Sequence, residues 1–278
     1  MKNEKVAFIG GGNMARAITS GLLDSGFAAA NILVSEPLAE LRASLGDDMP
    51  GIVLSADNNE VVAAAGCVVL AVKPQILREV CRGLRETVQR ERPLIVSLAA
   101  GTHGTDIDTW LGGGLSVVRA MPNQPALLRL GVSGVYVNDQ TSAEERDRAT
   151  EIIGAVGSVV YVDSEADIDA VTAVSGSGPA YFYLLIDILI NTAIELGITE
   201  ETAQILAIET ARGAAALADS ESESMDTLIA RVRSPGGTAA AALDSLEKAK
   251  VRDIFSTAIT VARDRAAELA KGASKSGD

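Results

Sequence analysis

The sequence predicts an α/β fold in which a doubly wound parallel sheet is followed by an all-α domain. As far as Val162, short apolar runs alternate with helical patterns, as a parallel sheet covered by helices requires. Beyond Glu165 the strand pattern disappears, and only helical patterns rich in Ala and Leu remain. We therefore expect two domains, one over residues 1–164 and one over residues 165–278.

The composition limits the cores and the partners. The 278 residues are 47% hydrophobic but only 3% aromatic, so the cores are built mainly from Ala, Val, Leu and Ile. A net charge of −13 without a basic run argues against nucleic acid and anionic membranes as partners. Cys67 and Cys81 have the spacing of neither a redox pair nor a zinc site. We expect reduced core thiols and a cytoplasmic protein.

Neither a signal peptide nor a membrane span is predicted. The charged segment Met1–Lys5 is followed by an apolar run of only Val6–Ile9, which is too short for a signal peptide. The most apolar stretch, Tyr181–Ile194, is interrupted by Asp187 and Asn191. These features favour a protein that neither enters nor crosses a membrane.

Short apolar segments are the candidate strands of the sheet. They are Lys5–Ile9, Ile32–Ser35, Gly51–Leu54, Cys67–Val72, Leu94–Leu98, Ser116–Arg119, Gly134–Val137 and Ser158–Val162. A helix over Ala143–Ile153 separates the last two.

The first strand runs directly into a glycine-rich turn. Val6–Ile9 is followed by Gly10-x-Gly12-x-x-Ala15, which opens a helix. In this arrangement Gly10 makes the tight turn, Gly12 lets the backbone approach a pyrophosphate, and Ala15 allows close packing of helix and strand. The helix offers unpaired N–H groups and its positive end to the anion. The pattern predicts a Rossmann-like dinucleotide site, and a purely structural turn is the alternative.

The second strand, Ile32–Ser35, is followed by an acidic residue. At this position Glu36 would accept hydrogen bonds from the adenosine ribose hydroxyls and disfavour a 2′-phosphate, whereas Ser35 could donate to either. Alternatively, Glu36 caps a helix over Leu38–Leu45 that begins behind Pro37. Both interpretations stay open.

Three later loops form a candidate rim, because a doubly wound sheet binds its ligand at the carboxyl ends of its strands. In Ala71–Gln75, Pro74 pushes Lys73 out of helical geometry and then starts a helix. Leu98–Gly101 has residues small enough for a nicotinamide ring to approach the backbone. Arg119–Pro125 contains two prolines that fix a polar pair. Together these loops predict a site for both cofactor and substrate.

The C-terminal half contains five predicted helices. They are Ala180–Leu196, Glu201–Ala218, Met225–Val232, Gly237–Leu246 and Val251–Lys271. Too little chain remains for these helices to build a deep core alone, and helices with so much small apolar surface usually pair. We therefore expect a dimer whose helical domains pack together.

Two glycine-rich segments precede helices in this half. Ser175–Ala180 is predicted to be a flexible loop with hydroxyl groups before the helix that starts at Ala180. Ser234–Thr238 has the same character before the predicted helix Gly237–Leu246. Such loops present free N–H groups, which suit a small carboxylate. Capping by serine is the alternative for each segment.

The residues that are missing narrow the chemistry. His103, the only histidine, lies in a predicted loop between Thr102 and Gly104, and we do not expect it to act as an acid–base catalyst. The sequence shows no Cys/His metal cluster and no serine paired with a histidine base. Oxidation of an alcohol by a nicotinamide normally needs a base such as His or Lys. Reduction of a protonated imine needs chiefly positioning and desolvation, because the electrophile carries its own charge. The sequence favours imine reduction.

In its motifs the chain resembles the pyrroline-5-carboxylate reductases. The shared segments are Phe8–Ala15, Ala71–Gln75, Ala99–Gly101, Arg119–Asn123, Asp169–Tyr181 and Ser234–Gly237, in the order and spacing of that family. The resemblance implies reduction of 1-pyrroline-5-carboxylate to L-proline with NADPH or NADH, the last step of proline biosynthesis. It also implies a Rossmann domain, a helical domain that interlocks with its dimer mate, and dimers that assemble into rings.

The resemblance also implies the site residues. The cofactor would be held by Ile9, Gly10, Gly11, Gly12, Asn13, Met14, Ala15, Ser35, Asn58, Ala71, Val72, Lys73, Pro74, Ala99, Ala100 and Gly101, with Glu36 as the further candidate given above. Asn58 carries one position of ambiguity, because Asn59 follows it. The substrate would be held by Met121, Asn123, Ser175, Ser234, Gly236, Gly237 and Thr238. Thr238 is the candidate catalytic residue, and no metal is expected.

Three departures from the family pattern matter. Gln124 replaces a threonine, and the usual His-Pro pair is absent from Ser220–Met225. Ala239 replaces the second threonine of Ser-Pro-Gly-Gly-Thr-Thr, which is thought to bond the substrate nitrogen. Two other functions therefore stay open: a reductase of another small cyclic imine or a β-hydroxyacid, and a catalytically weak, nucleotide-binding regulatory protein.

Overall fold

The structure is a computed structural model that describes residues 5–275. Strands and helices alternate over its first part, as the sequence predicts. In chain order they are β1 (Val6–Ile9), α1 (Asn13–Asp24), β2 (Ile32–Ser35), α2 (Ala39–Asp48), β3 (Val53–Ser55), α3 (Asn58–Ala63), β4 (Cys67–Leu70), α4 (Pro74–Glu91), β5 (Leu94–Ser97), α5 (Gly104–Leu111), β6 (Val117–Met121), β7 (Gly131–Val137), α6 (Ala143–Gly154) and β8 (Gly157–Tyr161). Short 3₁₀ turns lie at Ala29–Asn31 and Gln124–Leu128.

Helices make up the rest of the described chain. They are α7 (Asp167–Val171), a π-helical turn (Thr172–Gly176), α8 (Gly178–Glu195), α9 (Glu200–Ser220), α10 (Met225–Val232), α11 (Thr238–Lys248) and α12 (Val251–Lys275). The five helices predicted for this half correspond to α8–α12.

Within the described residues the strands form one sheet in the order β3-β2-β1-β4-β5-β6-β7-β8. The order reverses between β1 and β4, which is where a doubly wound sheet binds its ligand. The predicted doubly wound sheet is confirmed, with one antiparallel pair, β6 and β7. The link from Met121 to Gly131 is too short for a helical crossover, which needs about a dozen residues, so the chain turns back.

The core lies on both faces of this sheet. In β1, Val6 and Phe8 pack against one layer of helices, whereas Ala7 and Ile9 pack against the other. A strand that is buried on both faces has no polar side to show. This explains why the strand segments read as unbroken apolar runs.

The two cysteines are buried and are not bonded to each other. Burial raises the pKa of the Cys81 thiol from 9.0 to about 12. The thiol therefore stays protonated at neutral pH, and a protonated, buried thiol is unreactive.

The chain divides into two compact units. One comprises residues up to Ser177 together with those from Ala262 onward, and the other comprises Gly178–Val261. The boundary predicted between residues 164 and 165 remains a prediction.

The unit Gly178–Val261 has little core of its own. Its buried apolar side chains are Ala203 and Ala207. Large apolar side chains along α8 and α9 are exposed, namely Phe182, Tyr183, Leu184, Leu185, Ile188, Leu189, Ile205, Leu206 and Ile208. So much exposed apolar surface marks a region that another surface covers.

By length and composition alone, the helical run Asp167–Glu195 is apolar enough to cross a membrane. The expectation from the sequence that the chain does not cross a membrane remains a prediction. A helix that packs against a second protein chain meets the same criterion, because its exposed apolar face is covered there.

Candidate active site

The predicted cofactor residues meet at one edge of the sheet. In the parallel ladders Ile9 lies opposite Ser35 and Leu70, and Leu70 lies opposite Ser97. Each of the loops proposed to hold the cofactor continues from one of these strand ends. The register therefore brings together residues that are far apart in the sequence.

Gly10 and Gly12 differ in what surrounds them. Gly10 has φ +99°, and a Cβ there would lie 3.0 Å from the Ala71 carbonyl oxygen and 3.1 Å from Val72 Cγ1. A Cβ on Gly12 would meet no atom of the described residues within 4 Å. The backbone of Gly12 is extended, with φ −71°, so its conformation does not require glycine. The protein itself needs Gly10, whereas the space beside Gly12 is open for a ligand.

The start of α1 suits an anion. Gly12 is the capping residue, and within the described chain no side chain caps the helix and no acidic residue lies in its first turn. The Arg16 N–H donates the first helical bond, to the Gly12 carbonyl oxygen at 2.9 Å. The N–H groups of Asn13, Met14 and Ala15 therefore have no acceptor in the helix. Together with the helix dipole they form a site for a diphosphate, so this turn fits a dinucleotide.

Glu36 lies directly behind the glycine turn. Its side chain is buried, with 7% of the residue exposed. One carboxylate oxygen accepts a hydrogen bond from the Gly11 N–H at 3.0 Å, and the other accepts one from the Leu38 N–H at 3.1 Å. Leu38 is the capping residue of α2. The carboxylate thus supports the entry to α2 and also lies at the turn where the adenosine ribose is expected.

The structure distinguishes Asn58 from Asn59. Asn58 Oδ1 accepts a hydrogen bond of 2.7 Å from Ser35 Oγ, at the edge where the cofactor is expected. Asn59 bonds α4 instead, through the Gly83 carbonyl oxygen and the Thr87 hydroxyl. Both asparagines line an open cavity of about 400 Å³ with Ala56, Asp57, Glu79, Val80 and Gly83. Since Asn59 is committed to α4, Asn58 is the better candidate for the cofactor.

The Ala71–Pro74 loop is fixed at both ends. The Ala71 N–H donates to the Ile9 carbonyl oxygen at 3.0 Å, next to the glycine turn. Lys73 is the capping residue of α4, and Pro74 is its first residue, as predicted.

Met121, Asn123 and Ser175 lie together at the end of β6. Asn123 is buried; its Nδ2 donates to the Ser175 carbonyl oxygen at 3.1 Å, and its Oδ1 accepts from the Val132 N–H at 3.0 Å. A Cβ on Gly176 would lie 2.8 Å from Met121 Cε. Asn123 therefore braces the backbone with both of its polar atoms. Direct contact of these side chains with substrate remains a prediction.

The segment Ser175–Ala180 is largely helical, so the expectation of a flexible loop there is wrong. The Ser177 N–H donates to the Thr172 carbonyl oxygen at 2.8 Å, which closes a wide π turn before α8. The Ser175 hydroxyl donates to the Val171 carbonyl oxygen at 3.0 Å and does not cap a helix. The hydroxyl group therefore bonds the carbonyl four residues back, as serine does within helices. Such π turns occur frequently at functional sites.

In the unit Gly178–Val261, the predicted loop before a helix is present over residues 234–237, and Thr238 is already helical. Gly236 has φ +73°, and the Gly237 N–H donates to the Ser234 carbonyl oxygen at 2.9 Å. Gly237 is the capping residue of α11, whose first two residues are Thr238 and Ala239. The first turn of α11 contains no acidic residue. Its free N–H groups fit a small carboxylate.

The sequence did not predict the ion pair between Arg119 and Glu165. Arg119, in β6, has a side chain that is only 3% exposed and donates to Glu165 Oε1 at 3.0 Å. The signal was present, because Arg119 follows Val117 and Val118 in an otherwise apolar strand. A buried arginine requires an acidic partner, but the sequence does not say which acid provides it.

Comparisons with known proteins give a consistent result. A family model described as pyrroline-5-carboxylate reductase dimerisation matches residues 165–269. A second, described as NADP oxidoreductase coenzyme F420-dependent, matches residues 5–101. The pyrroline-5-carboxylate reductase of Pseudomonas aeruginosa is 45% identical over 271 residues, which cover 98% of each chain. That of Vibrio alginolyticus is 39% identical, covering 98% of this chain and 99% of its own.

Solved structures agree. A pyrroline-5-carboxylate reductase from Coxiella burnetii has a TM-score of 0.92 and 38% identity, covering 96% of this chain and 99% of that one. A pyrroline carboxylate reductase from Plasmodium falciparum, with NADP bound, has a TM-score of 0.86 and 25% identity, covering 97% and 99%. The chain belongs to the pyrroline-5-carboxylate reductase family.

Proposed function

We propose that this chain reduces 1-pyrroline-5-carboxylate to L-proline with NADPH or NADH, the last step of proline biosynthesis. The observation that carries the proposal is the match to relatives of that name over 98% of the chain. Two local features support it: the open glycine turn before α1 and the glycine-rich loop before α11. One suits a dinucleotide and the other a small carboxylate.

The chain's own residues hold and orient the cofactor. When bound, the reduced nicotinamide supplies the hydride that the imine carbon accepts. Free N–H groups at the start of α1 bind the diphosphate, and Ser35, Glu36 and Asn58 lie at the adenosine end. The small residues Ala99, Ala100 and Gly101 allow the nicotinamide ring to lie against the backbone.

The chain's own residues also hold and orient the substrate. Ser234, Gly236, Gly237 and Thr238 hold its carboxylate, and the hydroxyl oxygen of Thr238 is the candidate acceptor of a hydrogen bond from the protonated ring nitrogen. A protonated imine already carries the proton that a general acid would otherwise supply, so the site needs chiefly positioning and exclusion of water. This accounts for a site without a catalytic histidine.

We also propose a cytoplasmic homo-oligomer without nucleic-acid or membrane partners. The dimerisation match, the exposed apolar faces of α8 and α9 and the net charge of −13 support this. A ring of dimers and a domain boundary at residue 165 are the finer parts of the proposal. The boundary is supported by the start of the dimerisation match at residue 165.

The test is a direct assay. The purified full-length protein is mixed with 1-pyrroline-5-carboxylate and NADPH or NADH, and both cofactor consumption and L-proline are measured. We expect equal amounts of cofactor oxidised and L-proline formed. If the cofactor binds but this ring is not turned over, reduction of a six-membered analogue would favour another reductase. Oxidation of a β-hydroxyacid in an assay with NADP⁺ or NAD⁺ would also favour another enzyme of this kind. Binding without turnover of any of them would favour a regulatory protein.

A further inference from the structure

We propose that Glu165 is a positioning residue that fixes the loop Ala99–Gly101 and, through it, the nicotinamide ring. The inference rests on the proposed function only in naming this loop as the nicotinamide contact. Glu165 itself lies behind the loop and touches neither cofactor nor substrate in this proposal.

Glu165 joins two elements through one carboxylate. Its Oε1 accepts a hydrogen bond of 3.0 Å from the guanidinium of Arg119 and also accepts one from the Gly104 N–H. The second oxygen, Oε2, lies 3.6 Å from His103 Nδ1. The side chain of Glu165 is 17% exposed, and that of Arg119 is 3% exposed. Hydrogen bonds between charged groups are strong where water is largely excluded.

The bond to Gly104 fixes one end of the loop. Gly104 is the first residue of α5, so its N–H has no acceptor within that helix. At the other end the Leu98 N–H donates to the Leu70 carbonyl oxygen at 3.1 Å. Between these ends, Gly101 has φ +64°, and a Cβ there would lie 3.0 Å from Leu269 Cβ. The loop is therefore a bridge with two fixed ends, and Glu165 holds the end at α5.

This arrangement predicts a selective effect. The loop follows β5, whereas the adenosine-binding candidates follow β1, β2 and β3 on the other side of β4. Loss of Glu165 should disturb the nicotinamide end of the cofactor and spare the adenosine end. A general loss of stability would affect both ends.

The experiment compares two ligands on the full-length protein. In Glu165→Ala we expect the affinity for NADPH to fall about tenfold, as loss of one charged hydrogen bond implies, and the affinity for ADP-ribose 2′-phosphate, which lacks nicotinamide, to stay within about twofold. Glu165→Gln keeps an acceptor for the Gly104 N–H, so it should recover most of the NADPH affinity. Asp163→Asn, which removes an exposed carboxylate two positions away, is the matched control and should change neither affinity.

The other possible results for Glu165→Ala also test the proposal. If Glu165→Ala does not fold because Arg119 is left unpaired, the double variant Glu165→Ala with Arg119→Met removes that charge and should show the same selective loss. Equal losses for both ligands, or no change in a folded variant, would overturn the proposal. Since these are binding measurements, they stand even if the unmodified protein fails to reduce 1-pyrroline-5-carboxylate.

Discussion

At the scale of the residue, the two glycines of the first turn have separable roles. Gly10 is required by its own backbone, which has φ +99°, and by the nearby Ala71 carbonyl oxygen. Gly12 adopts an ordinary extended conformation beside open space. The protein alone would tolerate a side chain at Gly12, so glycine there points to a ligand.

We therefore predict that Gly12→Val folds normally but loses cofactor binding, because its side chain occupies the space that the diphosphate needs. Gly10→Val should instead lower the free energy of unfolding, by about 1–3 kcal/mol for the strained backbone alone. Calorimetric titration with NADPH and urea unfolding measure the two effects. Unchanged nucleotide affinity in Gly12→Val would refute the assignment.

Glu36 bears on the choice of cofactor. Its carboxylate is held against the Gly11 N–H, and the nearest arginine along the chain after it, Arg42, donates to the carbonyl oxygens of Glu36 and Pro37. A negative charge at this turn disfavours a 2′-phosphate. Arg42 keeps a positive charge at the same turn. The two charges have opposite effects on the binding of a 2′-phosphate. We therefore predict use of both NADPH and NADH with a modest bias.

The corresponding variant is Glu36→Gln, which can still accept from the Gly11 N–H but carries no charge. We expect kcat/KM for NADPH to rise relative to NADH by about fivefold, or roughly 1 kcal/mol, the interaction of two charges about 4 Å apart in bulk water. Glu40→Gln, in the first turn of α2, is the control and should leave the ratio unchanged. An unmodified enzyme that favours NADPH by more than about 100-fold, a gap of about 2.7 kcal/mol, would contradict this role for Glu36.

At the scale of the element, the sequence predicts most of the fold because strands buried on both faces must be apolar throughout. The segment Ile32–Ser35 was predicted with the bounds that β2 has. The predicted start of β7 is three residues late, since Gly131 and Ser133 interrupt the apolar pattern there. The π turn was also missed, because hydroxyls and glycines before a helix resemble a loop.

The site was predictable to the extent that motifs define it. Loops at strand ends come together because the sheet is parallel, and no distance is needed to infer this. Hydrogen-bond partners that are far apart in the sequence were not predictable. Glu165 is 46 positions from Arg119, and Glu36 is 25 from Gly11, and only the fold brings each pair together.

The start of α11 offers a test of the chemistry. Thr238 and Ala239 are its first two residues, so a hydroxyl is available at the first position but not at the second. We expect Thr238→Ala to lower kcat/KM by tenfold or more, within the roughly 5- to 150-fold that a hydrogen bond of about 1–3 kcal/mol supplies. Ala239→Thr should raise the activity or leave it unchanged, because the family pattern has threonine there.

Ser245→Ala, which removes an exposed hydroxyl from the same helix, is the control for these variants and should retain full activity. If Thr238→Ala and Ala239→Thr are both silent, the hydroxyl is dispensable. Catalysis would then depend on positioning of the substrate alone.

At the scale of the whole molecule, the two units differ in how they bury apolar residues. The sheet has strands that are covered on both faces. The unit Gly178–Val261 buries little more than small alanines and exposes large side chains along α8 and α9. An isolated chain with that surface would associate, and the match to a dimerisation domain covers this region.

We predict that the active protein is at least a dimer and that the exposed faces of α8 and α9 form the contact. Light scattering at micromolar concentration should show no folded monomer. Ile188→Asp should produce monomers with little activity, because each large apolar side chain buried in a contact contributes about 1.5–3 kcal/mol. Leu128→Asp is the matched control, since Leu128 is 76% exposed on the other unit and should not alter assembly. A stable, active monomer of the unmodified protein would contradict the prediction, and so would dissociation caused equally by both substitutions.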